Sequence, residues 1–381
     1  MKSNKVLGAV LFLVILVLFF TACDTGKKDK DPIALSGTHV ISVGHDFTGI
    51  IKQDDSLWMC GNNFAGRFGD GTKDSVSTFK NVMTDVQSIS FGRAFSMFIK
   101  KDGTLWASGT NTYGQWGNGL RATNSIAEQV MKNVKFVSAG TDHTAIIKND
   151  DTLWVTGKNN DGQLGDGTTE QKAAFIKIMD DVKFVSAGEN HTVLLKKDNT
   201  LWVFGGNESG QLGDGTTDKS IIPKQVMTDV KFASAGEQTT GAVKTDDTLW
   251  MCGNNKFGKL GNGTTENQTE FIKIMDNVKM VSVARENTAI LKNDGTLWVC
   301  GDKSIGRPEG LDINTHNKGI TTPLQLADDV KYVGVGYHYV AFVKNDNTLW
   351  TCGHNGFGQL GNGNRHDRVD KPIKVVDNVK K

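Results

Sequence analysis

Tryptophan recurs at positions 58, 106, 154, 202, 250, 298 and 350, with five intervals of 48 residues and a last one of 52. The same run of residues surrounds each tryptophan. Around Trp202 it reads Val182-Lys-Phe-Val-Ser-Ala-Gly188, then Leu201-Trp202-Val-Phe-Gly205, then Gly210-Gln-Leu-Gly213-Asp-Gly215. A fixed period of this length means a repeat architecture, in which each unit buries its faces against its neighbours. Such a period constrains the fold strongly and the ligand hardly at all.

Each unit holds four stretches with strand character. In the third unit these are Lys135–Ala139, Thr144–Lys148, Thr152–Thr156 and Phe175–Met179. Turn residues separate them: Asn149-Asp150-Asp151 between the second and third, and the Gly-rich Gly157–Thr169 before the fourth. Other units place Lys101-Asp102-Gly103 or Asn293-Asp294-Gly295 at the first of these turns, a hairpin signal because glycine accepts positive φ. No stretch of the repeats carries sustained helical periodicity or helix caps. Seven such units predict an all-β fold, a seven-bladed β-propeller of four-stranded blades closed into a ring, rather than an open solenoid with polar caps. The repeats run over 38–85, 86–133, 134–181, 182–229, 230–277, 278–329 and 330–378. Val379-Lys380-Lys381 then starts an eighth unit, so the chain ends where its own beginning continues.

Ahead of the repeats stand Lys2 and Lys5, an apolar run from Val6 to Phe20, and Thr21-Ala22-Cys23. A basic start, an apolar stretch of this length and small residues before a cleavage point describe an export signal. Residues 1–22 are thus expected to be a lipoprotein signal peptide. Phe20-Thr21-Ala22-Cys23 resembles the bacterial lipobox, with Phe20 in place of the usual leucine. That resemblance implies lipidation of Cys23 and a lipid-anchored protein of the bacterial cell envelope, facing outside the cytoplasm. An uncleaved anchor, or secretion with an incidental cysteine, is the alternative. Residues 23–37 are polar, with a charged run from Lys27 to Asp31, suited to a tether. In enteric bacteria, Asp24 after such a cysteine resembles an inner-membrane retention signal. Loss of residues 1–22, which carry Lys2 and Lys5, moves the formal net charge from +1 to −1. A near-neutral domain with interspersed signs has no footprint for nucleic acid.

The unit resembles the repeat of the regulator of chromosome condensation family. Its pattern Gly-x-Asn-x-x-Gly-Gln-Leu-Gly-x-Gly stands here as Gly157-Lys-Asn159-Asn-Asp-Gly162-Gln-Leu-Gly165-Asp-Gly167, and Ala-Gly-x-x-His-Thr as Ala139–Thr144 and Ala187–Thr192. The resemblance covers roughly residues 38–378 and implies a seven-bladed propeller. It does not carry over the founding member's exchange activity on a nuclear small GTPase, a partner that an exported chain never meets.

Several residue groups invite functional readings. The repeat tryptophans are expected to be inter-blade core, and Trp116, replacing the leucine of Gly-Gln-Leu-Gly, a packing variant. The Gly-Gln-Leu-Gly-Asp-Gly loops lack the following helix that a phosphate cradle requires. Asp-rich turns such as Asp150-Asp151 and Asp246-Asp247 lack the alternation of a calcium loop. Cys60, Cys252, Cys300 and Cys352 each follow a repeat tryptophan by two residues. Equivalent points on adjacent blades lie roughly 10 Å apart, beyond the roughly 7 Å limit for a disulfide, so buried free thiols are favoured over bridges near the axis. Their spacing fits no zinc motif. The eight histidines (39, 45, 143, 191, 316, 338, 354 and 366) form no catalytic cluster in sequence. His143 and His191 occupy the family's structural histidine position, which elsewhere holds Phe47, Phe95, Thr239, Asn287 and Tyr339.

Two places vary in a way that suits binding. The positions after the inner glycine read His45-Asp46, Arg93-Ala94, Thr141-Asp142, Glu189-Asn190, Glu237-Gln238, Arg285-Glu286 and Tyr337-His338, and are expected to form one ring on a propeller face. Solvated turns without a ligand would also vary in this way. Unit six carries a longer irregular loop with Arg307, Glu309, Asp312 and His316 as candidates, where drift in one repeat is the plain alternative. The reading is a non-catalytic extracytoplasmic binding protein, an interaction scaffold using one face, with no cofactor or metal. Its partner is an unknown protein or envelope macromolecule, with the membrane engaged through the lipid anchor and no nucleic acid bound. Alternatives are an inhibitor of an extracytoplasmic enzyme, since some exported bacterial relatives of the repeat family inhibit β-lactamases, or a surface adhesin. A glycan lyase or hydrolase would need carboxylates or histidines clustered on one face.

Overall fold

The computed structural model describes residues 40–306, 319–365 and 368–380. These form seven four-stranded antiparallel sheets, each a meander in chain order, with short 3-10 turns at Lys256–Gly258 and Lys303–Ile305. The first blade consists of β1 (Ile41–Val43), β2 (Phe47–Ile51), β3 (Leu57–Gly61) and β4 (Val76–Met83). The third repeats it as Val134–Ala139, His143–Lys148, Leu153–Gly157 and Lys172–Met179. The protein is an all-β seven-bladed propeller. Inner strands line a central channel, second strands are buried on both sides by neighbouring blades, and outer strands are half-exposed. Cys23 and the residues before Val40 lie outside the described residues, as does the unit-six loop with Arg307, Glu309, Asp312 and His316. Among the described residues no helix is long and apolar enough to cross a membrane.

The tryptophan comb has a local cause. In the turn before each third strand an Asp carboxylate accepts from the amide and hydroxyl of a Thr two residues on, and that hydroxyl accepts from the indole Nε1 two residues further. Asp150, Thr152 and Trp154 show this with 3.1, 2.6 and 2.8 Å bonds, and Asp54-Ser56-Trp58 uses serine. In six blades a lysine at the end of the second strand covers the ring, with Lys148 Nζ 4.4 Å from the Trp154 centroid. The tryptophans do pack against inter-blade clusters, as Trp58 does beside Ile50 and Ala341. They are half-buried, so the inter-blade core expectation holds in part: each indole packs against the core while the polar relay keeps it at the rim.

The Gly-rich loop is a structural turn fastened by its asparagine. Asn159 Oδ1 accepts from the buried Leu164 amide at 2.9 Å, while Nδ2 donates to Asp166 Oδ1 and to the carbonyls of Thr168 and Glu170 at 3.1 Å each. Gly162, at φ +81, lies so close to the next blade's outer strand that a Cβ would sit 2.8 Å from Ile221 Cα. Substituting Asn159→Ala strands the Leu164 amide, and the expected loss is about 1–3 kcal/mol in the urea unfolding free energy.

Blades are stitched by polar side chains. Ser90 Oγ accepts from the Ala139 amide of the next blade at 2.9 Å, and Ser42, Ser138, Ser186, Ser234 and Ser282 repeat the contact. His143 and His191 are buried and pulled down to about 3, hence neutral. His143 Nε2 meets Thr192 Oγ1 at 2.8 Å, and because that hydroxyl donates to Gln163 O, Nε2 must carry the proton. These are structural histidines. Cys60, Cys252, Cys300 and Cys352 are free and buried. Cys60 donates to the Gln359 carbonyl at 3.4 Å, and burial pushes the Cys300 thiol up to about 12.

Closure uses both ends of the repeat region. The blade-seven position that matches the stitching serines is Gly334, so that seam lacks the hydroxyl bridge. Instead, Val379 bridges to Lys52, its amide donates to Asn347 O at 3.0 Å, and the Lys380 amide donates to Ile51 O at 2.9 Å. Val40 O accepts from the Ile51 amide just beyond. One strand position along β2 is therefore filled partly by Val40–Val43 and partly by Val379–Lys380. Tyr339 adds a bond across the seam, donating to Phe47 O at 2.7 Å.

Candidate interaction face

Each inner strand rises from the start of its unit and ends at a two-residue turn, so all seven turns emerge at one end of the ring. The structure splits the expected single ring into two concentric ones. The first residue of each pair (His45, Arg93, Thr141, Glu189, Glu237, Arg285, Tyr337) lines the mouth of a central cavity of about 360 Å³. The second (Asp46, Ala94, Asp142, Asn190, Gln238, Glu286, His338) lies outside it, beside the loop that follows the third strand. Asn62 Nδ2 donates to Asp46 at 3.2 Å, Gln211 to Asn190 at 3.3 Å, and Asn254 to Gln238 at 3.3 Å.

One side of the mouth is charged. Arg285 Nε lies 3.1 Å from Glu237 Oε2, and Glu189 sits in the next turn. Lys259 holds the position where other loops carry glutamine; its amine donates to Arg285 O at 2.6 Å and burial brings it down to about 8. Arg67 does the same in blade one, donating to Arg93 O at 3.1 Å. Burial, then the negative charge of Glu189, pushes the Glu237 carboxyl up to about 7 against the pull of Arg285 and Lys259. Between its ordinary 4.5 and about 7 the folded state therefore holds a proton that the unfolded chain has released. Stability from this group is fully present below the ordinary carboxyl range and is lost as pH rises through 7. Urea midpoints measured from pH 5 to 8 are expected to fall less for Glu237→Gln than for the unsubstituted protein.

The opposite side, over blades seven and one, is aromatic. His45 stacks on Tyr337 with centroids 4.4 Å apart, and Arg285 lies 5.0 Å above the Tyr337 ring. Tyr337 meets His338 at 3.9 Å, and His338 meets His354 at 6.3 Å. Phe357 and Phe64 pair edge-on at 6.4 Å, and Phe64 is 68% exposed. Sequence reading found His45, Tyr337 and His338 but missed Phe64, His354 and Phe357, which belong to the third-strand loops. The available signal was an aromatic residue just ahead of the loop glycine, one place before it at Tyr113, Phe257 and Phe357 and two places before it at Phe64.

A rigid ring presenting variable turns at one end defines a propeller built for presentation of a surface. Models of the regulator of chromosome condensation (RCC1) repeat match residues 86–115, 134–163 and 182–211 in one form and 150–195, 198–243 and 346–381 in another. The chain carries RCC1-type repeats. Yeast RCC1 (Prp20), solved bound to Kap60, is similar at 17% identity and a TM-score of 0.77, over 92% of this chain and 86% of that one. Prp20p of Saccharomyces cerevisiae, described with its binding properties to Gsp1p and histones, gives a TM-score of 0.76 at 17% identity, over 90% and 88%. Human WBSCR16 gives 0.74 at 19% identity, over 84% and 93%. At these identities the likeness establishes the fold. No curated protein matches the chain.

Proposed function

We propose that this protein is a non-catalytic, lipid-anchored, extracytoplasmic binding protein that holds a protein partner on the face carrying the seven turns. The observation that carries the reading is the aromatic arc from His45 and Tyr337 to Phe357 and Phe64 beside a charged mouth. Exposed aromatics next to arginine, on a scaffold that does not have to reorganise, are the composition of interface anchors. The anchored location rests on the signal-like start and Cys23. That Prp20 binds Kap60 supports the use of this fold for protein contacts. The same arc favours inhibition of an extracytoplasmic enzyme over adhesion, because a compact aromatic patch suits one defined partner.

The test is capture from detergent-solubilised native envelope by the full chain and by a form with Arg93, Glu189, Glu237, Arg285 and Tyr337 changed to Ala. A partner held by the first and lost by the second supports the face. Equal capture by both removes it.

A further inference from the structure

In every blade the backbone amide of the residue that opens the third-strand loop donates to the carbonyl of the second turn residue, at 2.7 to 2.9 Å. Side chains at these two positions are therefore neighbours, and in blades one to five they bring no pair of like charges together. Asn62 donates to Asp46, Lys158 faces Asp142, and Asn254 donates to Gln238. Ala94 with Thr110 and Asn190 with Gly206 bring no charge conflict. Blade six alone sets two carboxylates together, Glu286 and Asp302. From blade seven His338 leans over the pair, with Nδ1 3.6 Å from Glu286 Oε2 and 3.9 Å from Asp302 Oδ1. All three donor atoms lie within 4.8 Å of one another and all three side chains are partly buried. Ser304 Oγ is 2.7 Å from the same nitrogen. Lys259 donates its amine to Arg285 O at 2.6 Å.

We infer that Glu286, Asp302 and His338 form a binding site for a borderline divalent cation of the Zn²⁺ class, bridging blades six and seven. Imidazole nitrogen with two carboxylate oxygens suits such an ion, whereas Mg²⁺ and Ca²⁺ take oxygen donors throughout. Donors around zinc sit about 2.1 Å from the metal, so these three need to draw together by no more than roughly 1.5 Å, within the reach of side-chain torsions. A cation there also removes the repulsion that blade six alone carries. Three protein donors leave a position open toward the turn face. The inference does not depend on which partner that face takes.

The experiment uses the purified full chain, stripped with a chelator and titrated with Zn²⁺ in a calorimeter. One equivalent is expected to bind. Glu286→Gln and Asp302→Asn, which keep side-chain shape, should each weaken that binding by at least the roughly 10–100-fold that even an outer-sphere change costs. Melting in metal-free buffer checks that both variants stay folded, and added Zn²⁺ should raise the melting temperature of the unsubstituted protein alone. Absence of one-equivalent binding, or undiminished binding in either variant, overturns the site.

Discussion

Removal of Val379, Lys380 and Lys381 is expected to cost the propeller about 3–5 kcal/mol, a large part of the margin by which a domain stays folded. Val379 is fully buried against Ile50, Ala341, Val343 and Leu349. Returning a valine to water costs about 1.5–3 kcal/mol. The bonds from the Val379 and Lys380 amides add about 1 kcal/mol each. The ion pair of Lys380 with Asp55 contributes little, so Lys380→Ala alone should fall within about 1 kcal/mol of the intact chain. Truncation also bares the edge of β2, an open template for pairing with another chain. Denaturant unfolding and light scattering together read both effects. A truncated protein as stable as the full one would show that the seam is held by Tyr339 and the outer loops instead.

The second large effect concerns binding with stability left nearly intact. Changing Phe64, Tyr337 and Phe357 together to Ala is expected to weaken partner binding by at least about 100-fold, since two anchors at about 2 kcal/mol each already exceed that. Phe64 projects into solvent and its ring contact is with Phe357 on the same face, while Tyr337 and Phe357 are only half-buried, so the melting temperature should move less than for a core change. Charge changes at Arg93 and Glu189 should act differently, altering the association rate and its salt dependence more than the dissociation rate. Partner affinity left unchanged in the triple variant would place the contact at the opposite end of the ring.

Much of this was legible in the sequence. The period gave the blades, and the overhanging Val379-Lys380-Lys381 foretold closure. The thiol positions pointed to unpaired cysteines, and the place of His143 and His191 in the repeat to a structural role. Other features were hidden for physical reasons. Periodicity locates Trp58 and its equivalents along a strand but does not give their depth, which depends on where the Asp–Thr–Trp relay meets water. Phe64 and Phe357 stand 293 positions apart in sequence and meet only because the ring closes. The conflict of Glu286 with Asp302 needs the fold too: their 16-residue separation becomes a contact only through the backbone bond between turn and loop.

The direction of β1 has a further consequence. The chain enters the ring at Val40 and climbs to the turn at His45, so the point of entry and the aromatic arc lie at opposite ends of the channel axis. A macromolecule that settles on the arc therefore leaves Val40 uncovered, and the first inner strand need not shift to admit it.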